Sequence, residues 1–159
     1  MMRQSLYEIL IRRLREPRRF VQVLAGPRQV GKTTLIQGVL ADTPIPAHYA
    51  TADESRLKER TWLERQWEQA RLLAGEGRDG AILVLDEIQN IPHWADTVKL
   101  LWDADTRRKV PLKVVLLGSA PLLIQSGLTE SLAGRFAPCS SVAAALHSRN
   151  SSRSLRLTG

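Results

Sequence analysis

Cysteine is nearly missing from this chain: Cys139 stands alone among 159 residues, so no internal disulfide can form, and a reducing compartment suits the protein. Histidine is scarce too. His48, His93 and His147 show no ligand spacing among themselves or with Cys139, which removes a zinc site from consideration. No window of 18 consecutive apolar residues occurs, so no membrane-spanning helix is expected. The first twenty residues, MMRQSLYEILIRRLREPRRF, are broken by charge every few positions and lack the apolar centre of a secretory signal. The expected location is the cytoplasm, without a membrane partner.

What is present fits one soluble domain with a real core. Hydrophobic residues make up 43 % and charged residues 25 %, the proportions of ordinary globular proteins. The net charge of +7 invites a nucleic-acid reading until its location is considered. Residues 1 to 20 hold six Arg against two Glu, residues 137 to 159 hold three Arg and no acid, and 14 basic and 14 acidic residues balance between them. The middle of the chain is neutral. An Arg-rich first helix can meet nucleic acid or an acidic partner, or it can simply be a solvated face.

Apolar periodicity predicts alternating helices and strands. Leu6, Ile9, Leu10 and Leu14 recur at helical spacing until Pro17, which predicts an amphipathic helix over 3 to 16. FVQVLAG (20 to 26) reads as a buried strand entering a glycine loop, and KTTLIQGVLAD as the helix that follows. HYATAD (48 to 53) reads as a second strand. The stretch from Glu54 to Ala74 sets Leu63, Trp67, Ala70 and Ala74 on one side of a surface helix, broken by GEGRDG. AILVLDE (81 to 87) and LKVVLLGS (112 to 119) are continuous apolar runs, as expected of strands covered on both faces. HWADTVKLLWDAD and PLLIQSGLTESLAGR (121 to 135) supply two more helices. The four tryptophans, Trp62, Trp67, Trp94 and Trp102, lie on helices and are expected in the core or at an interface. The implied fold class is α/β, with a mostly parallel sheet between helical layers. From Ala137 onward the chain turns Ser/Arg-rich, and residues 137 to 159 are expected to be a weakly ordered tail with at most a short helix over Val142 to His147.

Gly26-Pro27-Arg28-Gln29-Val30-Gly31-Lys32-Thr33 matches the phosphate-loop pattern of Gly, four residues, Gly, Lys and Thr or Ser. Glycine permits the backbone angles and close approach that let successive N–H groups point at phosphate oxygens, and the following helix adds its positive N-terminus. Lys32 is expected at the loop's mouth, reaching the β- and γ-phosphates, and the Thr33 hydroxyl would ligate magnesium. At average composition this pattern arises by chance in roughly one chain of this length in two hundred. The strand before it and helix after it are the context the mechanism demands. Residues Gly26 to Thr34, with Thr34 the last, are therefore the candidate nucleotide-binding set.

Asp86 and Glu87 end a predicted parallel strand, and ligands of such sheets bind beyond the strands' carboxyl ends. Asp86 is the candidate second ligand for magnesium, and Glu87 the group that accepts a proton from, or orients, an attacking water. Acids in that position also serve as helix caps. Ser119 would stand beside the acids if its strand lies between the other two, on phosphate or water; equally, it can cap the helix that begins at Pro121. Arg135 is a candidate arginine finger for a neighbouring subunit, or it serves a helix dipole. No Asn-or-Thr, Lys, any residue, Asp sequence follows a lysine, so the usual guanine reader is missing and ATP is the expected nucleotide.

GPRQVGKTTL, LDEIQNIP, LLGSAP and LTESLAGRF, in this order, resemble the prokaryotic AAA-type ATPases whose nucleotide-binding core precedes a C-terminal domain of unknown function. The resemblance covers residues 1 to 136. It implies the three-layer phosphate-loop NTPase fold of the additional-catalytic-glutamate type, ATP and Mg2+ as cofactors, and the roles above for Lys32, Thr33, Asp86, Glu87 and Ser119. Arg135 matches the arginine of that family's motif, which implies self-association. Beyond Phe136 such proteins continue for a few hundred residues, so the resemblance implies a truncated or frame-disrupted member. Two other functions stay open. A nucleotide-sensing module would use ATP only to change the surface it offers a partner, and a small-molecule kinase would need an Arg-rich lid and an acceptor pocket that no segment clearly supplies.

Overall fold

The computed structural model describes residues 2–27, 31–53, 59–76 and 79–138. The elements follow the predicted alternation: α1 (Met2–Arg15), β1 (Val21–Ala25), α2 (Lys32–Ala41), β2 (Ala47–Thr51), α3 (Arg60–Glu76), β3 (Ala81–Asp86), a single 3-10 turn (Ile88–Asn90), α4 (Trp94–Arg108), β4 (Leu112–Gly118), α5 (Pro121–Ser131) and β5 (Phe136–Pro138). The strands form one sheet in the order β2-β3-β4-β1-β5, and every pairing is parallel. This is the three-layer α/β fold of phosphate-loop NTPases. β4 lies between β1 and β3, the condition for Ser119 to stand beside the acidic pair.

The continuous apolar strands arise because both faces are covered. Along β3, Ala81, Leu83 and Leu85 face one cluster while Ile82 and Val84 face the other, the two-residue period of a pleated strand. The first cluster holds Leu63, Trp67, Ala70 and Ala74 of α3, Trp94, Val98 and Trp102 of α4, and Ile124 and Leu128 of α5. The second holds Leu10 and Leu14 of α1 and Ile36 and Val39 of α2. The tryptophans accordingly serve the core, with Trp62 partly buried at its margin.

A buried polar link fixes α3 to α4. Asp105, 1 % exposed, accepts hydrogen bonds from Trp67 Nε1 at 2.7 Å and Arg71 Nε at 2.8 Å. The pairing of both carboxylate oxygens is what makes its burial tolerable.

Several boundaries differ from expectation: α3 is helical from Arg60, the expected start at Glu54 lying outside the described residues, it runs on to Glu76 into the expected break, and α4 continues to Arg108 instead of Asp105. The last helix ends at Ser131 instead of running to residue 135, and Gly134 takes the left-handed φ of 77° that turns the chain back toward the sheet. Ala137 and Pro138, expected in the tail, belong to edge strand β5 beside Val21–Val23. The expected boundary after Phe136 therefore falls inside a strand. Three residues carrying a proline give too little pattern to read, and a sheet edge is where proline is tolerated. The proposed helix over Val142 to His147, with the rest of the tail from Cys139, lies outside the described residues.

Arg18 joins the segment between α1 and β1 to the far side of the sheet. Its guanidinium lies 3.5 Å from the centroid of the Trp102 ring. It donates to Leu112 O at 2.8 Å, Thr106 Oγ1 at 2.7 Å and Trp102 O at 2.9 Å. Burial lowers its pKa from the usual arginine value, opposed by the charges of Asp105 and Asp103. Arg18→Ala is expected to cost about 2 kcal/mol in urea unfolding, since it strips charged donors from carbonyls and an aromatic face. Arg18→Lys should restore less than half, because an ammonium cannot reproduce the fork. A loss below about 0.5 kcal/mol for the alanine variant, the level of an ordinary surface change, would contradict this role.

Candidate functional site

Parallel pairing brings the carboxyl ends of β1, β4 and β3 to one side of the sheet, where the candidate residues meet. Gly26 N donates to Gly118 O at 3.1 Å, which joins the start of the glycine loop to the end of β4. Gly31 has a φ of 77°, a left-handed conformation that turns the loop into α2. Arg28, Gln29 and Val30 lie outside the described residues. Gly31, Lys32, Thr33 and Thr34 line a cleft of about 300 Å³ together with Asp53, Asp86 and Glu87. That volume is at the small end for nucleotide-sized ligands.

Lys32 departs from the expectation of a residue standing in the mouth of the loop. It is 9 % exposed, and its Nζ donates to Gly26 O at 2.6 Å and Pro27 O at 2.8 Å. The ammonium is thus held by carbonyls of the loop it belongs to, which keeps a buried positive charge hydrogen-bonded beside the cleft.

Thr33 and Asp86 come together across the sheet as the motif reading requires. Thr33 Oγ1 donates to Asp86 Oδ2 at 3.0 Å, and the Tyr49 hydroxyl donates to the same oxygen. Thr33 lies in the first turn of α2, Asp86 ends β3, and Tyr49 comes from β2, whose register sets Thr51 beside Asp86. Three elements therefore converge on one carboxylate oxygen.

Glu87 leaves β3 with a φ of 55°, a strained left-handed conformation costing a non-glycine residue about 1–3 kcal/mol. The turn brings its carboxylate to Ser119, just past the end of β4. Ser119 Oγ donates to Glu87 Oε2 at 2.7 Å, and Gln89 Nε2 donates to the same oxygen at 2.5 Å. The capping alternative for Ser119 fails: Ala120 occupies the N-cap of α5, without a side-chain hydrogen bond to that helix end. Gln89 Oε1, by contrast, is buried and accepts no hydrogen bond from the described residues. Such an atom costs about 1–3 kcal/mol.

Arg135 is not brought to this cleft. Its carbonyl accepts from Val21 N, at the opposite end of β1 from the glycine loop, roughly 15 Å away by strand rise. Its guanidinium makes a two-pronged pair with Asp103 of α4, at 2.7 and 3.0 Å, and donates to Ala133 O. Within one chain it therefore secures the turn before β5 and cannot act on a bound phosphate. It also lies beyond the end of α5, so it serves no helix dipole.

Tyr49, Asp53, Gln89 and Asn90 were not singled out from the sequence. Asn90 Nδ2 donates to Asp53 Oδ1 at 2.7 Å, which ties the end of β2 to the turn after Glu87. The available signal was positional: Asp53 follows a strand parallel to β3, and polar residues at such ends reach the same side of the sheet.

The AAA domain family matches residues 18–143 of the chain. The chain belongs to that family. Uncharacterized proteins of Mycobacterium bovis and Mycobacterium tuberculosis are each 35 % identical to it over 115 residues, which is 72 % of this chain and 23 % of theirs. The chain thus spans about a quarter of the length of the curated relatives it matches. Among solved structures, the Thermotoga maritima RuvB Holliday junction branch migration motor is similar in fold. It has a TM-score of 0.52 and 21 % identity, over 86 % of this chain and 41 % of that one. The AAA domain is an ATP-binding module of phosphate-loop architecture. No helix among the described residues is long and apolar enough to cross a membrane.

The Asp103–Arg135 pair has a consequence in pH. The hydrogen bond from Arg135 and its charge, with further help from Lys99 and Arg107, hold the Asp103 carboxyl below its usual range against a smaller opposing effect of burial. A depressed folded-state value adds stability that is complete above the unfolded value, near 4 for aspartate, and lost as pH falls through the folded value. Asp103→Asn should therefore be less stable than the parent at pH 7 in urea unfolding, and the gap should close as pH falls toward 3. A gap that is constant with pH would show that the ion pair is not its source.

Proposed function

We propose that this AAA domain binds ATP with Mg2+ and hydrolyses it to ADP and phosphate, with Lys32, Thr33, Asp86, Glu87 and Ser119 as the working residues. The observation that carries this reading is the 3.0 Å contact between Thr33 Oγ1 and Asp86 Oδ2, made next to Lys32 and within the cleft that Glu87 also lines. A hydroxyl and a carboxylate converging from a helix N-terminus and a strand end are hard oxygen donors, the chemistry that magnesium selects. The residues present fit the ion: Thr33 and Asp86 would hold it. Held there, the ion would supply positive charge to offset that of the phosphates.

The remaining chemistry belongs to the chain. Backbone N–H groups of the loop and of the first turn of α2 receive phosphate oxygens, and Lys32 exchanges carbonyl partners for phosphate oxygens. Glu87 orients the attacking water and takes up its proton as the new P–O bond forms and the bond to ADP breaks. Ser119 keeps the Glu87 carboxylate on the β4 side of the cleft.

Three measurements test the reading. Lys32→Met should lower affinity for a fluorescent ATP analogue at least tenfold, about 1.4 kcal/mol, while circular dichroism stays that of a folded protein. Unchanged affinity in the folded variant removes Lys32 from the site. In calorimetry, Mg2+ should tighten ATP binding more than ADP binding, and chelator should abolish the difference. Equal affinities in all four conditions would leave Asp86 as a partner of Thr33 and Tyr49 only. In single-turnover assays, Glu87→Gln should retain ATP binding and lose at least about 100-fold in phosphate release, within the range of general-base catalysis. Release at the parent rate would sink the role given to Glu87.

A further inference from the structure

We propose that Gln89 is a positioning residue for Glu87: its side-chain amide, locked with Ser119 in a closed ring of hydrogen bonds, holds the Glu87 carboxylate where it can act on water. The inference rests on the role given to Glu87 above and assigns to Gln89 a task that no motif position provides.

The need for such a residue follows from the backbone. Glu87 stands in the left-handed region directly after β3, where strand pairing no longer restrains the chain, and its own side chain has several rotatable bonds. The 3-10 turn Ile88–Asn90 folds Gln89 back over it, closed by Asn90 N donating to Glu87 O at 3.0 Å. Gln89 Nε2 donates to Glu87 Oε2 at 2.5 Å and reaches Ser119 Oγ at 3.4 Å, while Ser119 Oγ donates to Glu87 Oε2 at 2.7 Å. Each member of the ring touches the other two. The orientation of the carboxylate is therefore determined by two donors on one oxygen, from two different elements of the fold.

The other end of the amide shows what the arrangement serves. Gln89 Oε1 is buried, has no donor among the described residues and lies over Gly118, where an added Cβ would come within 2.7 Å of it. A glutamine retained for structure would be expected to pair its carbonyl, since an unpaired buried acceptor lowers stability. Here the carbonyl has no donor among the described residues, and the amide nitrogen is spent on Glu87 and Ser119. Gly118 leaves the space that lets the amide lie this way. An orphaned polar group of this kind, beside a strained residue at the edge of a cleft, is typical of a functional arrangement.

Single-turnover phosphate release and ATP-analogue affinity, measured together on the whole chain, test the inference. Gln89→Met keeps the length of the side chain and removes both donors. It is expected to slow phosphate release about tenfold or more, as small misplacements of a catalytic group do, with ATP affinity within about twofold of the parent. Combined with Glu87→Gln it should add less than about twofold, because residues acting as a unit are not additive. Gln89→Asn retains the amide but shortens its reach by one methylene, and it should reproduce the loss should the methionine variant fail to fold. Parent-like release by Gln89→Met or Gln89→Asn, beside an inactive Glu87→Gln, overturns the inference alone. So does a loss of release matched by an equal loss of affinity, or full additivity with Glu87→Gln. Glu87→Gln at the parent rate, or no release by the parent, overturns the reading of Glu87 and this inference with it.

Discussion

The parallel ladder that seats β4 between β1 and β3 is the constraint on which the site depends. Gln22 to Ala25 pair with Val115 to Gly118 on one side of β4, and Ala81 to Leu85 pair with Leu112 to Leu116 on the other. Because all three strands run the same way, the glycine loop, the acidic pair and Ser119 emerge on one side of the sheet. A shift of one residue in either pairing would exchange the two apolar faces and turn Asp86 and Ser119 away from their partners. Register is therefore protected by the core: Leu83, Leu85, Val114 and Leu116 face the tryptophan-rich layer, and Ile82, Val84, Val115 and Leu117 face α1 and α2. The apolar residues of the strands fix the geometry of the polar ones at their tips.

Much of this arrangement was legible in the residues because burial leaves a pattern. AILVLD and LKVVLLG read as strands covered on both faces, and the spacing of Leu63, Trp67, Ala70 and Ala74 identified the inner side of α3. The phosphate-loop motif also fixed its context, a strand before and a helix after. Pattern does not fix the order of strands in a sheet, so the meeting of Ser119 with Glu87 stayed conditional until β4 was found between β1 and β3. β5 left no pattern to read, since three residues show no period and Pro138 argues against an interior strand.

Side chains that return across a turn were the least legible. Gln89 and Asn90 follow the acidic pair in LDEIQNIP, and nothing in their spacing says that one folds back to Glu87 and the other to Asp53. Tyr49 illustrates the same limit. As a β-former in a short strand it needs no special role, yet its hydroxyl shares Asp86 Oδ2 with Thr33. Arg135 shows the same limit: nothing in the motif tells that within its own chain it pairs with Asp103, at the end of the sheet remote from the cleft, and this pairing leaves the task in a neighbour's site as an expectation.

The charges of the site are all held by their own surroundings. Lys32 rests on two carbonyls of its own loop, Asp86 takes donors from Thr33 and Tyr49, and Glu87 takes donors from Ser119 and Gln89. Burying these groups is tolerable only because each has such partners. The same partners must be exchanged or kept selectively if a polyphosphate enters. Lys32 and Thr33 would give up protein oxygens for phosphate and metal, while Glu87 can keep Gln89 and Ser119, which come from the turn after β3 and from the end of β4 and not from the glycine loop. Under the proposed function, binding and water activation would thus draw on separable sets of hydrogen bonds. The first set lies at the loop and the start of α2, and the second lies along β3 and β4. This division follows from the strand order, because β4 sets Ser119 at the side of Glu87.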